Sequence, residues 1–408
     1  MSYTIQPVTP QTPYWPLVFR NTRTTSADAE TLLVEVYVGG ALAGSYRKPY
    51  DTATTAGVYT FDVDAQIPVS RECGPKATAF SSLFGTFGTT TVVNNSDIYK
   101  AYTVVTYLEV LNNDGYLEQS SASGETSSVL YALPAARRKD TVNLGRFHYP
   151  TTGSGFKFIT TAPDGQPVAE TDNYFLSFLS NGTDAMRFIF YEYEGGKTKE
   201  TVISLDEKND TERMVTVGVG PANITGTLNN TLLSGTMPTN MSIFRYYEIS
   251  VGVYATGTFT RRSEIKRLTL EGTCGGNLRL YWMNPYAGID QYTFFGQILR
   301  KQQDAGAITE IAPEWNITAT PPTKPSSRGN IKTGMTAQTV YEIREPVDLE
   351  KGEFLRDVRK SAEVYASVNG QYHAVVIQPG EVEFDNNRVA NTVMTFNVVM
   401  DTENIQDV

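Results

Sequence analysis

CGGNLRLYWMNPYAGIDQYTFFG, residues 274–296, is the stretch whose reading decides the fold. Leu278, Leu280 and Trp282 alternate with Arg279, Tyr281 and Met283, so an extended backbone carries bulky side chains on both faces. A strand of that kind is buried on both sides or borders a partner. Asn284-Pro285 ends it, because proline has no backbone donor and holds its predecessor extended. Gly288 is expected to take a positive φ and close the turn, and Asp290 to accept backbone donors within it. Tyr292 with Phe294, and Thr293 with Phe295, restart an alternating strand. The stretch reads as an aromatic β-hairpin. Its structural motif is Leu280, Tyr281, Trp282, Asn284, Gly288, Asp290, Tyr292 and Phe294.

N-terminal to the hairpin, further strands follow the same logic. Residues 174–179, 186–193, 198–205, 214–219, 246–254 and 264–270 read as strands that recur with Gly and Asn turns between them. Earlier still, Val34, Val36 and Val38 share one face of a strand, and Gly39-Gly40 makes a tight turn into residues 41–47. Strands are also expected at 58–63 and 102–111, with a Gly-, Thr- and Phe-rich loop from Cys73 to Asn95 between them. Pro7, Pro10, Pro13 and Pro16 forbid a central strand and predict an extended arm, loose or laid across a neighbour.

Beyond the hairpin, residues 297–309 suit either a strand or a short helix, and Pro321, Pro322 and Pro325 mark an extended connector. Residues 349–361 predict a helix, with Phe354, Leu355 and Val358 on one face, Glu350 and Glu353 early, and Arg359 and Lys360 late. Asn369-Gly370 signals a hairpin, and strands at 381–384 and 392–400 complete the C-terminal part. The expected organisation is mainly β: tandem antiparallel β-sandwich (immunoglobulin- or fibronectin-like) domains followed by a small α+β domain. The boundaries are 1–16 for the arm, 17–135 for the first sandwich, 141–300 for the second sandwich with the hairpin, and 328–408 for the α+β domain.

Composition limits the functions open to the chain. Its 408 residues exceed one ordinary core, and 24 Tyr, 19 Phe and abundant Thr and Val suit a β protein. A net charge of −10 opposes an electrostatic grip on nucleic acid or anionic lipid. Arg137-Arg138-Lys139 reads as a solvated linker or a dock for an acidic neighbour. The opening MSYTIQPVTPQ lacks a basic-then-apolar signal, which predicts synthesis in a cytosol with Cys73 and Cys274 reduced and buried. No apolar run reaches the roughly 20 residues that span a bilayer.

Chemistry finds little to stand on. His148 and His373, the only histidines, are too far apart in sequence to build a local metal cluster. No P-loop, dinucleotide fingerprint or nucleophile elbow occurs. Asp62 and Asp64 share a strand face and suit a turn better than acid–base work. No catalytic, metal or cofactor site is expected.

The hairpin sequence also carries a resemblance. A strand reading LYW-x-N, a short Gly-containing turn, an Asp and an aromatic-Thr-Phe strand resembles a segment of structural proteins from phages and prophages of Bacteroidota, crAss-like phages included. The common pattern has two glycines in the turn, whereas this chain has Ala287 before Gly288 and Pro285 after Asn284. Weaker similarities lie in LLVEVYVGGALAG followed by GVYTFDV, and in the acidic DTENIQ near the C-terminus. The resemblance implies a non-enzymatic virion component of the tail or head–tail connecting region. Its partners would be copies of itself and other virion structural proteins, with no direct nucleic acid and no membrane. An adhesin-like or carbohydrate-binding β module is the alternative, since exposed Tyr and Trp on β scaffolds stack on sugars.

Overall fold

Thr31–Val38 buries Leu32, Val34, Val36 and Val38 and leaves Leu33, Glu35 and Tyr37 half-covered, the period-two signature of a strand with one face on a core. In the computed structural model this strand pairs antiparallel with Ala41–Pro49 on one side and Lys100–Leu111 on the other. Gly39 (φ 59°) and Gly40 (φ 83°) both take the left-handed conformation that such a turn requires. The described residues are 3, 17–24, 31–54, 58–73, 92–94, 100–119, 124–132, 144–147, 155–180, 185–193, 196–205, 213–225, 227–229, 233–272, 278–310, 330–361, 363–368, 371–378 and 392–404. Most of the proline arm, the loop core at 74–91, the triplet 137–139, the connector prolines, the Asn369-Gly370 turn and the strand expected at 381–384 lie outside them.

The chain divides into two units: Met1–Thr273 with Trp282–Tyr292, and Cys274–Tyr281 with Thr293–Val408. The first unit is built from mainly antiparallel sheets that face one another over two cores; the exception within them is Gln166–Val168, which runs parallel to Lys266–Leu270. Val18–Thr24, Val58–Asp64 and Thr52–Thr54 form a three-stranded sheet, and Leu130–Ala132, Lys100–Leu111, Thr31–Val38 and Ala41–Pro49 run through a six-stranded one. Phe19, Phe61 and Val63 from the former meet Val34, Val36, Tyr102 and Val104 from the latter. Tyr3, the one described residue of the expected arm, is buried in this core, with its hydroxyl donating to the Val104 carbonyl at 3.1 Å. At Tyr3, then, the arm is part of the fold.

A second core lies between an eight-stranded sheet, centred on Ala185–Glu192 and Phe244–Ala255, and a three-stranded one. Phe188, Phe190, Tyr247, Ile249 and Val251 come from the large sheet, and Leu176, Phe178, Val215 and Val217 from the small one. Within the small sheet Val92–Asn94 pairs with Val215–Val217. A strand from the expected first sandwich therefore completes a sheet of the expected second. The boundary at 135–141 is not a break in strand pairing.

A seven-stranded sheet runs in the order Ile289–Phe294, Leu278–Met283, Val364–Val368, Gln371–Gln378, Thr392–Asn404, Asn330–Val347, Gln297–Glu310, and the unit division falls inside its first two strands. Three of its strands come from before residue 328, so this sheet is larger than the 328–408 expectation. Residues 297–310 are a strand, resolving the strand-or-helix alternative, and pair with Asn330–Val347 along their whole length. The helix expected over 349–361 is shorter: Leu349–Arg356 is α-helical and Val358–Lys360 is a 3-10 turn. Gln66–Cys73 is a helix that the sequence reading did not foresee. No helix among the described residues is long and apolar enough to cross a membrane.

Candidate functional site

The hairpin that the sequence singled out is nearly closed to solvent. Leu280, Trp282, Asp290 and Phe294 are fully buried, and Tyr281, Asn284 and Tyr292 are almost so. Both faces of the outgoing strand are covered, since Leu278 to Trp282 are all buried. The returning strand Ile289–Phe294 is buried at every position. The two-unit division falls inside both strands, with Trp282–Tyr292 assigned to the first unit and the flanking residues to the second.

Asn284 organises the turn. Its backbone N–H donates to the Gly288 carbonyl (2.8 Å), and its carbonyl accepts from Ala287 N–H (3.0 Å). Its side-chain oxygen accepts from the N–H groups of Tyr286 (2.9 Å) and Gly288 (3.0 Å), while its amide donates to the Ile159 carbonyl (3.0 Å). One asparagine thus satisfies several buried backbone groups, each of which is costly to leave unpaired. Tyr286, at the tip, packs against Phe147 at 5.1 Å and lies under the Arg146 guanidinium.

The structure corrects two expectations about this turn. The positive φ belongs to Ala287 (66°), and Gly288 is not among the residues with one. Gly288 is required for a different reason. A Cβ there would stand 2.0 Å from the Ile159 carbonyl oxygen, a distance no side chain tolerates. Asp290, expected to serve its own turn, reaches across the sequence instead. Its carboxylate accepts from Thr160 Oγ1 (2.5 Å), Thr161 N–H (3.0 Å) and Thr161 Oγ1 (2.7 Å). Burial pushes its pKa above the usual carboxylate range, against the pull of donors from Thr160, Thr161 and Asn284.

Sequence reasoning missed Gln291, whose side chain imitates a strand neighbour. Its oxygen accepts from Phe175 N–H (3.1 Å) and its amide donates to the Phe175 carbonyl (3.0 Å). Ile289 N–H donates weakly to Ser177 Oγ at 3.4 Å. The residues 159–161 and 175–177 therefore hold the tip by polar contacts as well as packing. The available signal was composition: IDQYTF places Asp, Gln and Thr in an otherwise bulky run, and buried polar groups must find partners.

Within the second unit, Arg279 lies 4 % exposed inside the sheet. It donates to Tyr281 Oη (2.9 Å) and Thr293 Oγ1 (2.5 Å). Tyr281 meets Tyr372 edge-on at 5.2 Å, and Phe294 meets Phe396 in the same way at 5.3 Å.

The remaining titratable candidates are used structurally. Asp62 holds Arg20 through two hydrogen bonds of 2.7 and 2.8 Å, and the guanidinium keeps its carboxyl below the usual range. Asp64 accepts from Leu17 N–H (3.0 Å) and Gln66 N–H (2.9 Å). Asn223 caps a short helix, accepting from Tyr174 and Gly220 N–H groups. His373 is half-buried in Gln371–Gln378, whereas His148 and Cys274 lie outside the described residues. Among the described residues no three His, Cys, Asp or Glu side chains gather to hold a metal ion. In comparisons with known proteins, no family model matches the chain and no curated protein matches its sequence.

Proposed function

We propose that this chain is a non-enzymatic structural component of a bacteriophage virion, in the tail or head–tail connecting region, acting by ring-like assembly with copies of itself and other virion proteins. One observation carries the reading. The motif that resembles phage structural proteins spends its polar side chains on architecture: Asn284 on its own turn, Asp290 on Thr160 and Thr161, Gln291 on the Phe175 backbone. A site built for turnover would leave donors or acceptors aimed at a substrate. In this reading the first unit is a tandem of sandwich layers, immunoglobulin- or fibronectin-like in plan, and the second an α+β module that meets neighbours. The chain is made in a host cytoplasm and ends in the particle.

Light scattering on the purified protein, alone and with particle extracts, tests the proposal. A multimer is expected in at least one setting. A monomer in every setting, intact particles included, contradicts it. A second reading, a carbohydrate-binding β module, rests on the exposed Tyr116, Tyr193 and Tyr254, rings available to stack on sugars. Glycan-array binding by a stable monomer, lost when those tyrosines become alanine, favours that alternative.

A further inference from the structure

Arg356, Arg359 and Lys360 stand three and four positions apart across the helix Leu349–Arg356 and the 3-10 turn Val358–Lys360. That spacing gathers side chains on one face. Phe354, Leu355 and Val358 are buried on the other, so the cations take the outer side. Together with Ile377 of the strand Gln371–Gln378, they line a hollow of about 320 Å³ among the described residues.

Cations near a helix C-terminus ordinarily answer the macrodipole. That accounts for their place along the helix and not for their convergence on one concavity. Lys360 forms an ion pair of 3.9 Å with Asp357, which is almost wholly buried. Arg359 has no carboxylate within ion-pair distance among the described residues. Lys360 has Asp357, so Arg359 is the cation that a carboxylate from outside the chain would pair with.

We propose that this hollow docks an acidic peptide segment of a neighbouring protein subunit, a partner surface that rests on the assembly reading above. The geometry suits an extended peptide. Helix neighbours at these spacings have Cβ atoms about 5–6 Å apart. Carboxylates on every second residue of an extended strand recur at roughly 6.6 Å, close enough for long Arg and Lys side chains to reach two or three of them. Ile377 offers the apolar wall that a peptide side chain uses and a free inorganic anion does not. A chain with 44 acidic against 34 basic residues also supplies the complementary charge on its own copies.

Calorimetric titration of the full chain with hexaglutamate, hexaglutamine and inorganic phosphate tests the proposal. Hexaglutamate is expected to bind, to weaken as salt rises, and to lose affinity by about tenfold or more in the R356Q/R359Q/K360Q variant at unchanged melting temperature. Arg359→Gln alone should give a smaller loss and serves if the triple variant does not fold. Hexaglutamine should not bind. Absence of hexaglutamate binding, full binding by the variants, or equal affinity for phosphate overturns the proposal. Because the titration uses isolated protein, its failure is distinct from failure to find the chain in particles.

Discussion

Asn284, Gly288 and Asp290 form one polar knot, and each can be removed separately. Asn284→Ala strips the acceptor from Tyr286 and Gly288 N–H groups, both buried in the turn. A loss of about 1–3 kcal/mol is expected in urea unfolding, the cost of orphaned buried donors. Gly288→Ala drives a Cβ into the Ile159 carbonyl and should cost about 1–3 kcal/mol through forced backbone movement. Ala287→Gly relieves a positive φ but gives up a buried methyl, so it should change stability by less than about 1 kcal/mol. If the order of the two turn variants is reversed, close approach is not the reason for the glycine.

Asp290 makes a pH-dependent contribution whose sign follows from burial. Its folded-state pKa is raised, so the folded protein holds the proton more tightly than the unfolded chain does. The contribution is full below the unfolded value of about 3.9 and is lost as pH rises through the folded value. Urea unfolding of the wild type and Asp290→Asn from about pH 4 to pH 8 measures it. The wild type should lose ground against the variant with rising pH. The opposite slope means that the Thr160 and Thr161 donors outweigh the burial penalty.

Elements differ in how plainly the sequence announces them. Thr31–Val38 is legible because one face is apolar and the other is not. Leu278–Met283 is legible because nothing in it suits water, and burial on both faces follows. Asn330–Val347 escaped notice because NIKTGMTAQ opens it with polar and small residues, and neighbouring strands on both sides hold it extended. Gln66–Cys73 carries Pro68 and Val69, poor helix formers, although proline is tolerated in a first turn. The site was legible as residues and not as partners. Asp290 and Thr160 are separated by 130 positions, and no local pattern joins them. The Leu349–Arg356 helix offers a test at this scale. Asp348 caps it by accepting from Lys351 N–H at 2.8 Å. Asp348→Ala should lower stability by about 1 kcal/mol, read as a reduced melting temperature; an unchanged one means the cap contributes nothing.

At the scale of the whole molecule, β-sheets supply nearly all the framework, and the hairpin at 278–294 is covalently part of both units. An account in which this chain builds a particle asks for rigid elements and satisfied buried polar groups, and Asn284, Asp290 and Gln291 are satisfied in that way. Stability lost at the knot should then appear as poorer incorporation, in the order set by the unfolding measurements. The most direct test of the virion reading is quantitative mass spectrometry of extensively washed particles from a host that makes the chain. The account expects the chain at a fixed number of copies per particle, greater than one. Its absence from washed particles, or a copy number that varies with washing, contradicts the account.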